Sequence, residues 1–216
     1  MTNSFKMVKL DFFTMKSQLA SYAIVILFVL LFGFMGSSIT WICINCAWFV
    51  ALMSTMIFAT QEKNNLNRLY GSLSIRQKDI VLGRYIFSLM SFVVSFIVVI
   101  AIFTGFMLLQ GKMFAIQEIF RSFGVSYLIF SAIVGLQTPI FFKIGYIKAR
   151  IWAFVPLAIV IGLAVLLMRL ESLSGIIAFC MSYENILIIC CIAASCIIQY
   201  LSYRVAIVTY RKGKRV

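Results

Sequence analysis

The chain has 216 residues, 63% of them hydrophobic and only 12% charged, with a formal net charge of +13 and a mean hydropathy of +1.08. A soluble domain is about 45–50% apolar and about 25% charged, so this composition excludes an ordinary water-soluble fold and points to an all-α polytopic membrane protein. The lack of histidine excludes a zinc protease of the H-E-x-x-H kind, and the lack of G-x-x-x-x-G-K-[ST] excludes a P-loop of the chain's own.

Residues 1–17, MTNSFKMVKLDFFTMKS, do not read as a cleaved signal, because Asp11 and Lys16 precede the apolar run and no small-residue cleavage site follows it. Phe5, Val8, Lys9, Phe12 and Phe13 fit an amphipathic helix lying in the membrane interface with its lysines at the headgroups. A frayed basic tail is the alternative. Beyond it, a membrane span needs about 20 mostly apolar residues. Six such stretches follow, at about 18–38, 39–60, 85–110, 122–142, 151–168 and 185–203, and none contains Asp, Glu, Lys or Arg. Gly36-Ser37-Ser38 reads as a tight turn between the first two. The six spans use nearly all of 1–216, which is therefore expected to be a single transmembrane domain.

Basic residues set the orientation of short-looped membrane proteins. With both termini in the cytoplasm, the inner side holds the lysines and arginines of 1–17, 61–84, 143–150 and 204–216, sixteen of the 19 in all. The outer side holds only Lys112, Arg121 and Arg169. The positive charge then needs no nucleic acid to explain it. Membrane lipid, anionic on the inner leaflet, is the default partner, and 204–216 is a basic cytoplasmic tail.

Cys43-x-x-Cys46 has redox or metal spacing, but it lies inside a span with no histidine, where cysteine behaves as a small hydrophobe. Asn45, Gln110 and Gln137 are polar groups at or near membrane depth. They are candidates for a substrate path, with interhelical hydrogen bonding as the commoner use of such groups. Ion-coupled transporters usually keep an ionisable relay at membrane depth. None is present here, so uphill transport would draw its energy from another subunit.

The long polar loop 61–84 carries signals of order. Leu66, Leu69 and Tyr70 fall on one face of a short helix, with Glu62 and Arg68 on its other sides. Gly71 breaks that helix. Ser74 and Gln77 have capping-box spacing for a second helix that runs through Asp79 into the third span. Two readings stay open on the residues alone: docking to a cytoplasmic partner, or lying flat on the lipid.

The run EKNNLNRLYGSLSIRQKDIVLGRY resembles the signature between the second and third spans of permease subunits of type-2 ABC exporters, in the small six-span group that includes the phenol-soluble modulin exporter permeases. Glu62, Lys63, Asn64, Ser72, Leu73, Arg76, Asp79, Arg84 and Tyr85 fill its positions, and Ser74 stands where that family usually has proline. The resemblance implies a non-catalytic half-transporter that binds no cofactor. ATP and magnesium would sit on a partner ABC ATPase, and a second permease subunit, the same or related, would complete the membrane unit. In that family 61–84 acts as the coupling helix, which implies ATPase-coupling roles for Glu62, Arg68, Leu69, Tyr70, Leu73, Arg76 and Asp79. It also implies a bacterial cytoplasmic membrane and a re-entrant outer helix at 170–185, for which a plain loop is the alternative. A path lined by Phe, Ile, Leu and Met suits hydrophobic or amphipathic cargo, peptide included. A stand-alone immunity factor or a facilitator without ATPase is the competing class.

Overall fold

A backbone in hydrocarbon must satisfy its own hydrogen bonds, and a helix does so within one segment. The computed structural model describes residues 3–15, 19–64, 76–111, 116–149 and 184–213, together with Leu66, Val155 and Gly162, and these are helical with short turns and no strand. The helices are α1 (Asn3–Met15), α2 (Leu19–Phe34), α3 (Ile39–Lys63), α4 (Gln77–Leu109), α5 (Ile116–Ile144), the single turn α6 (Tyr146–Ala149) and α7 (Glu184–Gly213).

Four of them are long and apolar enough to cross a membrane: Ile39–Lys63, Gln77–Leu109, Ile116–Ile144 and Asn185–Tyr210. They make this a multi-pass membrane protein. The first expected span is the 16-residue helix α2, roughly 24 Å long at 1.5 Å per residue against a hydrocarbon core of about 30 Å. The expected turn follows it, with Gly36 at φ 75 and Ser38 accepting a 3.4 Å bond from the Trp41 N–H at the start of α3. The fifth expected span, 151–168, lies outside the described residues apart from Val155 and Gly162, as does 170–183.

The helices outrun the stretches bounded by charge. α3 continues to Lys63, α4 starts at Gln77, and α7 continues to Gly213 through most of the stretch expected to be tail. The capping box does not start α4. Arg76, extended and without a side-chain cap, is its N-cap. Asp79 sits in the first turn, where its negative charge suits the helix dipole; Ser74 lies outside the described residues. In α1, Met7 and Asp11 turn inward and are buried, whereas Phe12 and Phe13 are 55% and 61% exposed.

Three apolar layers fill the bundle from end to end. Val25 and Val29 meet Ile42, Val99 and Phe103 at one end. Val50, Phe92, Phe130 and Ile133 fill the middle. Phe58, Ile80, Tyr85, Phe141, Phe142 and Tyr210 close the other end, with Met7 of α1 and Leu66 packed on them. Helix directions follow from the pairings. Thr40 bonds Ser122 near one end and Phe58 packs on Phe141 near the other, so α3 and α5 run parallel. Gly124 meets Ile188, Gln199 bonds Ser131 and Phe142 packs on Tyr210, so α5 and α7 run parallel as well. The antiparallel α4 joins them through Tyr85, which bonds Ser202 of α7.

That last contact answers a defect in α5. Pro139 lies inside the helix and has no N–H to give the carbonyl four residues back, which is Gly135. Ser202 donates to the Gly135 carbonyl at 2.6 Å instead. Gly135 lets α7 approach closely, because a Cβ there would lie 2.9 Å from Ile198.

Ser202→Ala strands the Gly135 carbonyl and removes one of the partners of the Tyr85 hydroxyl, at a cost of about 1–3 kcal/mol. Thr209→Ala, whose hydroxyl bonds only its own helix, should change stability by less than about 0.5 kcal/mol. Pro139→Ala supplies the missing N–H and should reduce the cost of Ser202→Ala, a non-additivity readable by thermal unfolding of the purified single and double variants.

Candidate functional site

The basic end of the bundle holds the buried charged groups among the described residues, Asp11 and Arg84. Arg84 is 2% exposed, and a guanidinium stays charged at any ordinary pH, so its partners must come to it. Its Nη1 lies 2.7 Å from Oδ1 of Asp11 on α1. Its Nη2 donates to Oε1 of Gln61 on α3 at 2.6 Å. Its Cζ sits 5.5 Å over the Phe58 ring, within the reach of a cation–π contact. One side chain of α4 thereby holds α1 and the last turn of α3.

The neighbouring Glu62 makes a second bridge. The backbone N–H groups of Tyr146 and Ile147 both donate to its Oε2, at 2.6 and 3.0 Å, which ties the end of α3 to the turn after α5. Gly145 starts that turn at φ 83. A Cβ there would meet Oε1 of Glu62 at 3.3 Å, so the bare glycine leaves room beside the carboxylate. Between α3, α5, α6 and α7 lies a cavity of about 280 Å³, walled by Phe58, Phe141, Phe142, Tyr146 and Tyr210 and edged by Gln61, Glu62 and Lys143. Phe142 stands edge-on to Phe58 at 5.0 Å and to Tyr210 at 5.1 Å.

Of the expected ATPase-coupling residues, Glu62, Arg76 and Asp79 flank the 64–76 connection: Glu62 half-buried, Arg76 exposed, Asp79 half-buried. Arg68, Leu69, Tyr70 and Leu73 lie outside the described residues. The three path candidates are not brought together. Asn45 donates to the Trp41 carbonyl of its own helix at 2.8 Å, Gln110 is exposed at the far end of α4, and Gln137 is 1% exposed in the interior. None of them lines the cavity. Sequence reasoning missed Asp11 and Gln61. One signal for Asp11 existed: it is the only acid before Glu62 in a chain with 19 bases.

The family model described as ABC-2 family transporter protein matches residues 6–211, nearly the whole chain. No curated protein and no solved structure matches it.

Burial pushes the Asp11 carboxyl up from 3.8 to about 6, against the downward pull of Arg84. A carboxyl raised in this way contributes stability that is fully present below 3.8 and is lost as the pH rises through about 6. The melting temperature of the purified chain should therefore fall across that window, and Asp11→Asn should flatten the fall. An unchanged slope in Asp11→Asn would assign the pH response to other carboxylates.

Proposed function

The chain belongs to the ABC-2 transporter family, and on that premise we propose that it is the permease subunit of an ATP-driven exporter whose 61–84 segment couples it to the ATPase. Membrane components of this family are generally non-catalytic and work with an ATPase partner. The proposal adds six spans, cytoplasmic termini, a second permease subunit, a bacterial cytoplasmic membrane and an amphipathic cargo, peptides among the candidates.

The observation that carries it is how the ends of the 64–76 connection are fixed. Glu62 and Gln61 anchor its start, and Arg84 its end, through buried or half-buried polar contacts. A connection clamped on both sides can pass a push from a partner into three helices at once. Two further features support the layout. α5 and α7 run parallel, as a layout with one span between them expects. Lys63, Lys143 and Arg204 all lie at the end occupied by Arg84, as the basic bias of the sequence expects of a cytoplasmic side.

In this reading Leu69 and Tyr70 seat in an ATPase groove, Arg68, Leu73 and Arg76 flank them, and Glu62 and Asp79 brace the ends. Aromatic anchors at interfaces often carry about 2 kcal/mol or more. Tyr70→Ala and Leu69→Asp should leave insertion and expression near normal, cut the copurified ATPase and uncouple ATP hydrolysis from transport. Wild-type copurification and transport in both variants would remove the coupling assignment, and a stable chain that never recovers an ATPase would favour the immunity-factor reading. Orientation has its own test: single cysteines at 112–118 in a cysteine-free background should label from outside intact cells, and those at 64–78 should not. External labelling at 64–78 would invert the topology.

A further inference from the structure

We propose that the cavity between α3, α5, α6 and α7 binds the ammonium head of an amphipathic organic cation, with Glu62 as its counter-charge. The inference rests on the permease reading only for the direction in which such a molecule would move. The binding site itself stands on four observations.

Both backbone donors fall on one oxygen of Glu62, Oε2. The other, Oε1, has no hydrogen-bond partner among the described residues, although an ionised carboxylate has room for about four bonds. Gly145 keeps the space beside the carboxylate open, since a Cβ would stand 3.3 Å from Oε1 and 3.4 Å from Oε2. The walls are aromatic, including Phe58, Phe142, Tyr146 and Tyr210, and aromatic rings attract cations, quaternary ammonium groups above all. Phe58 already holds one cation, the Arg84 guanidinium at 5.5 Å.

Size decides what part of a ligand enters. The cavity, about 280 Å³, falls just under the roughly 300 Å³ at which pockets for whole drug-sized ligands begin. It fits a head group, with the apolar tail left to the lipid-facing surface. Lys143, exposed at the edge, opposes a cation and supplies a control of opposite sign.

The purified full-length chain, in nanodiscs of phosphatidylglycerol and without ATPase or nucleotide, is titrated with a radiolabelled long-chain alkyltrimethylammonium ion. Empty discs are subtracted. The alkyl sulfate and the uncharged alkyl glycoside of the same chain length serve as competitors. The cation should bind saturably, and neither competitor should displace it. Glu62→Gln, whose amide oxygen can still accept both N–H bonds, should weaken binding by about tenfold. Lys143→Gln should tighten it by about two- to fivefold.

Repeating the titration in phosphatidylcholine discs separates two sources of the same chemistry. Suppression there assigns the site to a lipid's choline head, and undiminished binding assigns it to a free cationic amphiphile. Displacement by both competitors, or affinities unmoved by both substitutions, would make the cavity an apolar crevice and overturn the proposal. Because no ATPase is present, that outcome leaves the coupling assignment untouched. Loss of ATPase capture would likewise leave this site standing.

Discussion

A guanidinium buried at the end of an apolar bundle is the constraint around which this structure is arranged. Leaving a buried charge of this kind uncompensated costs about 3–5 kcal/mol. Asp11, Gln61 and Phe58 supply the charge, the acceptor and the ring that it needs. They come from α1 and from the last turns of α3, so satisfying one side chain sets the relative positions of α1, α3 and α4. The arrangement carries a desolvation cost, visible in the upward displacement of the Asp11 carboxyl to about 6. Burial exceeds the attraction between the partners there, and the pair's value lies in register more than in stability.

The same rule governs the backbone. In hydrocarbon an unpaired carbonyl has no water to turn to, and Pro139 creates one at Gly135. The remedy lies in another helix, where Ser202 donates to that carbonyl and is itself bonded to Tyr85. Three helices are thereby pinned near the basic end by one hydroxyl. The outer faces of α4 and α7 need no such device. Val94, Ile97, Ile189 and Ile197 lie exposed on them, which suits a lipid surroundings and leaves the polar contacts to specify the packing.

What was legible in the sequence follows from this division. Charge-free runs of about 20 residues announce helices whatever their partners, and the break at Gly36 was readable because glycine supplies the positive φ that the turn requires. Helix ends were not readable from charge. Polar residues continue a helix beyond the hydrocarbon, as α4 does from Gln77 and α7 does to Gly213. The capping box at Ser74 put the start of α4 too early in the chain: the N-cap is Arg76, and Asp79 in the first turn complements the dipole. Asp11 and Arg84 stand far apart in the chain, and nothing local pairs them. Glu62 was visible as a residue but its contacts were not, because they are backbone N–H groups of Tyr146 and Ile147 that carry no side-chain signature. Gln137 stood out as a polar group in an apolar run, and the structure buries it in the interior.

The geometry at the end of α3 links these features to movement. Gln61 and Glu62 are consecutive, and consecutive helical residues point about 100° apart at 3.6 residues per turn. One therefore faces Arg84 and, through it, α1 and α4. The other faces the turn that follows α5 and borders the cavity. Any force that rotates or unwinds this last turn changes both contacts together, because no residue separates them. A connection that enters from Asn64 is attached at that point. A pull on Asn64 would therefore reach the cavity through a helical turn whose two adjacent side chains hold opposite sides of the basic end.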